Sequence, residues 1–296
     1  MIQCSTIAEL KHIIADFRQS KPEGIIGLVP TMGFLHKGHA SLMRKSQAQC
    51  DLTIVSIFVN PLQFGPNEDF DKYPRDLERD HQLAQSEGVH VLFTPTVEEM
   101  YPKPVLTKVL ISNITDRLCG ASRPGHFDGV GTVVSKLFNI ASPDKTFFGM
   151  KDAQQVAVIT RMTEDLNIPV EIIPVPTVRE PDGLALSSRN VYLTQAERQQ
   201  AVILNDTLEL AGTLLRQPGI TLEKILDELK QNVRQSSLAV IDYIELVTFP
   251  DLEPPAAEDD LSQHADPLMV ALAIKFGNTR LIDNRLFTRD EVMGHV

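Results

Sequence analysis

Cysteine is scarce in this chain of 296 residues: Cys4, Cys50 and Cys119 are odd in number and widely scattered. That excludes a disulfide framework of the kind that staples small secreted domains. The opening residues Met1-Ile2-Gln3-Cys4-Ser5 lack the basic and apolar regions of a signal peptide, so a reducing cytoplasm is the expected compartment. No stretch reaches the roughly eighteen apolar residues that a membrane helix needs. Positive charge is also short, with 28 Lys and Arg against 39 Asp and Glu, a formal net charge of −11. Such a balance argues against non-specific nucleic-acid binding, which needs a basic surface. It also means that an anionic substrate must be held by local groups against an unfavourable overall field. Internal repeats and low-complexity tracts are absent. What is present is 43% hydrophobic and 23% charged residues, the composition of a globular protein, punctuated by 19 prolines. The length suits one large domain or two ordinary ones.

The stretch around which the rest is organised is Pro30-Thr31-Met32-Gly33-Phe34-Leu35-His36-Lys37-Gly38-His39. Ile25 to Val29 before it read as a short buried strand bounded by Gly24 and Pro30. After it, Leu35, His39, Leu42, Met43 and Ser46 fall at helical spacing, which predicts a helix beginning near His36. A strand, a glycine turn and a helix start offer unpaired amides and a positive dipole end to phosphate. Gly33 and Gly38 let a nucleotide come close to the backbone. His36 and His39, one turn apart, are placed to donate to phosphoryl oxygens as charge develops. Read otherwise, the two imidazoles are a zinc pair, for which no third ligand stands at a recognisable spacing, or ordinary helix-start residues.

The remainder alternates strands and helices. Thr6 to Glu9 has the form of a capping box, followed by a helix on Ile7, Leu10, Ile13, Ile14 and Phe17. Leu52 to Val59 is a continuous apolar and β-branched run, as in a parallel strand covered on both faces, and stops at Asn60-Pro61. Gln63 then lies at the carboxyl end of that strand, where open α/β sheets bind ligands, unless it is merely an exposed loop residue. A turn-rich loop through Gly65-Pro66-Asn67-Glu68-Asp69 leads to a helix over Leu77–Ser86 and a strand over His90–Phe93. Gly120 to Val130, with three glycines and a proline, reads as a loop carrying Arg123 and His126, before a helix over Val133–Ile140 and a strand over Lys145–Phe148. Gly149-Met150-Lys151-Asp152-Ala153-Gln154-Gln155 repeats the strand, glycine and helix-start logic, with Lys151 placed for phosphate, Asp152 near the N-cap and Gln155 one turn further in. A strand over Val170–Ile173 ends at Pro174 and Pro176, and Leu186-Ser187-Ser188-Arg189-Asn190 joins two hydroxyls to a guanidinium that can clamp phosphate. Past Thr194 the alternation gives way to helices over 195–215 and 222–234 and apolar runs at 241–247, 268–276 and 281–287. The fold expected is α/β: a Rossmann-like parallel-sheet domain over 1–185 and a smaller C-terminal α+β domain over 186–296.

In this order and spacing the motifs Pro30–His39, Ser56–Phe64, Arg123–Phe127, Phe148–Gln155 and Leu186–Asn190 resemble the pantothenate synthetase (pantoate–β-alanine ligase) family of the HxGH nucleotidyltransferase superfamily. Met150 and Ala153 stand where relatives often carry an acidic and an aromatic residue. The resemblance implies an ATP-dependent ligase that joins (R)-pantoate to β-alanine through a pantoyl adenylate, releasing AMP and pyrophosphate. It implies an ATP site lined by Met32, Gly33, Phe34, Leu35, His36, Lys37, Gly38 and His39, by Gly149, Met150, Lys151 and Asp152, and by Val178, Leu186, Ser187, Ser188 and Arg189. His39, His36 and Lys151 would be catalytic, Gln63 and Gln155 would hold pantoate, and Gln63 would also meet β-alanine. Mg²⁺ would accompany ATP without a dedicated protein metal site. A homodimer is implied, with the C-terminal domain capping the nucleotide. Other readings are a superfamily member acting on a phosphorylated acceptor, which calls for extra basic residues and no paired glutamines, an aminoacyl-tRNA synthetase relative, for which the chain is short and acidic, and a non-catalytic nucleotide sensor.

Overall fold

The computed structural model describes residues 1–290 except 67 and 69; the loop expected at Asn67 and Asp69 therefore lies outside the described residues. In chain order the elements are β1 (Ile2–Cys4), α1 (Ile7–Ser20), β2 (Ile26–Thr31), α2 (Lys37–Gln49), β3 (Leu52–Ile57), α3 (Leu77–Ser86), β4 (Val91–Phe93) and α4 (Val97–Met100). They continue with α5 (Leu118–Ser122), α6 (His126–Ala141), β5 (Lys145–Gly149), α7 (Ala153–Asp165) and β6 (Glu171–Val175). Last come α8 (Gln195–Gln200), α9 (Ile203–Leu215), α10 (Leu222–Val233), β7 (Ala239–Thr248), β8 (Leu268–Phe276) and β9 (Thr279–Phe287). The chain divides into two compact units: 1–112, 123–150 and 158–178 form one, and 113–122, 151–157 and 179–296 the other.

The first unit holds a six-stranded sheet in the order β1-β4-β3-β2-β5-β6, every pair parallel. Its central strands are buried residue after residue, on both faces, which is why they are apolar runs and not alternating ones. Val29, Leu35, Met43, Val55, Leu92 and Phe147 form a core cluster between sheet and helix, and burying each such side chain contributes roughly 1.5–3 kcal/mol. The expected capping box at α1 is present: the Thr6 hydroxyl accepts from Glu9 N–H, and the Glu9 carboxylate accepts from Thr6 N–H. The chain runs outward from β2 to β3 and β4, then returns to place β5 on the other side of β2. This reversal is the switch point at which open α/β sheets bind ligands. Because β2 and β5 pair in parallel, the turn Met32–His39 and residues Gly149–Met150 leave adjacent strands at the same edge of the sheet.

Several local expectations are corrected. Residues 120–130 are not a loop: α5 ends at Ser122 and α6 begins at His126, with Gly125 as its N-cap at φ +78°. Gly129 serves close packing and not a bend, since a Cβ there would lie 2.6 Å from the Gln63 Cα. β6 continues through Pro174, which pairs with Phe148; an edge strand tolerates a missing N–H that a central one would not. β3 ends at Ile57 instead of Val59, level with the last residue of β2. The helix expected over 195–215 is broken at 201–202 into α8 and α9, and the strand β1 was too short for periodicity to reveal.

The second unit is built on an antiparallel sheet, β7-β8-β9. Leu204, Leu208, Ala211 and Leu215 of α9, and Ile225, Leu229 and Val233 of α10, pack with Ile244, Val270, Leu272 and Phe287 of the strands in one core cluster. Their spacing of three to four residues is what an amphipathic helix needs to face a sheet.

Candidate active site

The turn between β2 and α2 is held through the amides of Gly33 to His36 and of Gly38. Gly33 N–H donates to Thr31 Oγ1 (3.2 Å), Phe34 N–H to Asp80 Oδ2 (2.8 Å) and Leu35 N–H to Asp80 Oδ1 (2.6 Å). His36 N–H donates to His39 Nδ1 (3.2 Å), and Gly38 N–H donates to His36 Nδ1 (3.1 Å). The turn is left-handed at Gly33 (φ +85°) and Phe34 (φ +50°), a conformation that costs a non-glycine residue about 1–3 kcal/mol and persists only where its surroundings enforce it. Asp80, on the first turn of α3, is 1% exposed. Burial pushes its carboxyl above the ordinary range, while the Leu35 and Phe34 amides pull against that.

His36 is the N-cap of α2 and His39 its third residue, so the imidazoles cap the helix reciprocally, with ring centroids 4.1 Å apart. Both Nδ1 atoms accept, which places the proton of each neutral ring on Nε2. One expectation changes as a result. The amides of 33–36 and 38 donate within the protein, so these backbone groups, expected to be unpaired and open to phosphate, are already engaged.

Gln63, 8% exposed, sits in a short 3₁₀ turn after β3. Its side-chain Nε2 donates to Met32 Sδ (3.2 Å) and its Oε1 accepts from Asn60 Nδ2 (3.2 Å). Asn60 also donates to Gly129 O and accepts from the Tyr101 hydroxyl (2.9 Å), a phenol that burial pushes up to about 12 and keeps a donor. The Gln63 carbonyl accepts from His126 Nδ1 (2.8 Å) and Arg123 Nη2 (3.4 Å). Arg123 also donates through Nε to Glu68 Oε1 (2.7 Å) and through Nη1 to His126 Nε2 (3.1 Å). Arg123 and His126, expected to reach a ligand or merely to solvate a loop, thus hold the backbone of Gln63.

In the second unit, Lys151 Nζ lies 3.7 Å from Asp152 Oδ2, with the lysine side chain one-fifth exposed. The Lys151 carbonyl accepts from Asn284 Nδ2 on β9 (2.8 Å). Next along β9, Asp283 is buried and takes both arms of Arg179, at 2.6 and 3.0 Å. Gln154, not Gln155, is the buried glutamine of α7, donating to the carbonyls of Ile114 and Arg117. Gln155 is half-buried. Ser187 caps the 3₁₀ turn Ser188–Tyr192, its hydroxyl accepting from Arg189 N–H, and Val178, Leu186, Ser188 and Arg189 are half-buried. Among the described residues no group of three or more His, Cys, Asp or Glu could hold a metal ion. The three cysteines are free and buried, with the Cys4 thiol pushed up to about 11 by burial.

Comparison with known proteins places the chain in a family. The profile of the family described as pantoate-beta-alanine ligase matches residues 2–286. The chain belongs to that family. Among its curated relatives, the pantothenate synthetase of Pelotomaculum thermopropionicum is 52% identical over 287 residues, 97% of this chain and 99% of the relative. That of Acetivibrio thermocellus is 54% identical over 280 residues, 94% and 96% of the two chains. Of solved structures, pantothenate synthetase from Thermus thermophilus superposes with a TM-score of 0.87 at 43% identity, covering 96% of this chain and 99% of that one. A pantoate-beta-alanine ligase from Francisella tularensis, solved in complex with beta-gamma ATP and β-alanine, gives 0.77 at 36% identity, with 97% of each chain covered. The family's motifs were readable in sequence, whereas Asp80, Asn60, Tyr101 and Asn284 were not assigned such contacts. Asp80 reads in sequence as an ordinary acidic residue at a helix start, and nothing in its spacing points to a turn 46 residues earlier.

Proposed function

We propose that this chain joins pantoate to β-alanine at the expense of ATP, through pantoyl adenylate. The pantoate carboxylate attacks the α-phosphorus, the bond to pyrophosphate breaks, and the β-alanine amine then displaces AMP from the acyl carbon to give the amide. The reading rests above all on the paired imidazoles at the carboxyl edge of β2, each carrying its proton on Nε2. Catalysis of phosphoryl substitution is largely positioning and charge stabilisation, and donors fixed before the reaction supply both. His39 is the proton-donating residue, with His36 beside it on the phosphates and Lys151 as the third catalytic group. The segments 32–39 and 149–152, Val178 and 186–189 bind the nucleotide. Gln63 and Gln155 orient pantoate, and Gln63 also meets the incoming β-alanine. Neutral amides suit this role, because they hold the acid in place without the guanidinium pair that would stabilise the attacking carboxylate. Mg²⁺ would supply charge neutralisation at the ATP phosphates and would need few protein ligands, Asp152 being the carboxylate this segment could offer it. The enzyme works as a homodimer in the cytoplasm, and water must be kept from the adenylate until β-alanine arrives.

ATP–pyrophosphate exchange tests this directly. Label should enter ATP with pantoate present and β-alanine absent, and AMP should be released only when both are added. Exchange that requires a phosphorylated acceptor instead would move the chain's activity elsewhere in the superfamily.

A further inference from the structure

We infer that Asp80, which lies outside every recognisable motif, is a positioning residue for the histidine pair: its carboxylate gathers the Phe34 and Leu35 amides and so fixes the left-handed turn from which His36 and His39 are presented. The inference rests on the assignment of His39 above. Four observations carry it. The two oxygens are divided between two consecutive amides, one each, at 2.8 and 2.6 Å. The carboxylate is 1% exposed, so water cannot take its place. A Cβ on Gly33 would lie 3.0 Å from Asp80 Oδ2, so the glycine is what admits the carboxylate to the turn. Lastly, the contacts run on without a gap: Leu35 is wholly buried, and the next amide, His36 N–H, is the donor that orients His39 through Nδ1.

An asparagine at 80 keeps the shape but offers one acceptor, and its NH₂ would face a backbone N–H. One amide then loses its partner, and the turn shifts at the point where the first imidazole begins. A misplacement of about 1 Å at a reacting group typically costs on the order of 10²-fold in rate.

The test is Asp80→Asn beside His39→Ala in the full-length protein. The single-turnover rate of adenylate formation from ATP and pantoate should fall roughly 10–100-fold in D80N, while ATP affinity, which other segments share, moves less than about threefold. Long-range ¹H–¹⁵N spectra of the imidazoles should show Nε2–H tautomers in the unaltered protein and a mixture at His39 in D80N, a change that lost stability alone would not produce. An unchanged rate in folded D80N overturns the inference, as does a lost rate with both tautomers intact. Should D80N not fold, Asp80→Glu carries the test, because it keeps the charge and both acceptors but moves them by a methylene; an unchanged rate there is equally decisive. If H39A is slow while D80N reacts normally, only the role of Asp80 falls. If H39A itself reacts normally, the histidine assignment falls and this inference with it.

Discussion

The two strand-to-helix junctions assigned to the nucleotide are held in opposite chemical senses. Before α2, the groups needing partners are amide donors, and a buried carboxylate collects them. Before α7, the group needing a partner is the Lys151 carbonyl, and a side-chain amide from β9 supplies the donor. The first arrangement fixes a left-handed turn at Gly33 and Phe34 and thereby two rings. The second fixes the root of one long, flexible side chain. A rigid bidentate acceptor suits groups that must be placed before charge develops, whereas a lysine acts as a point charge whose head adjusts to its ligand.

The largest effect that would break this comparison is at the rings. His39→Ala should slow adenylate formation by about 10²–10³-fold, the usual loss for one preorganised donor. Single-turnover kinetics that leave it unchanged would remove the first junction from the chemistry. Next comes Gln63→Ala, expected to raise the pantoate requirement about tenfold, or about 1.4 kcal/mol, with ATP binding intact. Titration calorimetry showing lost ATP affinity instead would contradict its assignment.

The second junction should be milder. Asn284→Ala removes one neutral hydrogen bond to the Lys151 carbonyl, worth about 1 kcal/mol, so ATP should bind roughly fivefold more weakly with little change in the chemical step. A loss of rate as large as that of H39A would erase the distinction drawn here. The smallest effect concerns the support of Gln63 and appears only in acid. Burial would raise the Glu68 carboxyl, but the Arg123 guanidinium outweighs it and leaves the group below its ordinary value of 4.5. A carboxylate depressed in the folded state contributes stability above the unfolded value and loses it as pH falls below 4.5 and through the folded value. Melting temperatures of the unaltered protein and of Glu68→Gln should therefore keep a constant offset above that pH and converge below it; parallel curves throughout would show that the pair does not hold the fold.

Much of this architecture is legible in the residues. The run Leu52–Val59 reads as a strand buried on both faces, two residues longer than β3, and the alternation of such runs with helices gives a parallel sheet whose carboxyl edge carries the motifs. Local signals with local causes were equally plain, as at the Thr6–Glu9 capping box and the helix over Leu77–Ser86. What could not be read were partners supplied from far along the chain. Asp80 meets its amides 45 and 46 residues away and Asn284 its carbonyl 133 residues away, and neither distance leaves a periodic trace. Glycines misled for a related reason. Gly129 looked like part of a loop because its purpose, contact with another backbone, is tertiary.

That contact at Gly129 has a consequence for tuning the catalyst. With hydrogen in place of a side chain, α6 rests directly on Leu62 and Gln63, so the helix acts as a gauge block setting where the Gln63 backbone lies. Any larger residue at 129 would act as a shim, pushing Leu62 and the glutamine proposed for pantoate out of place from another helix.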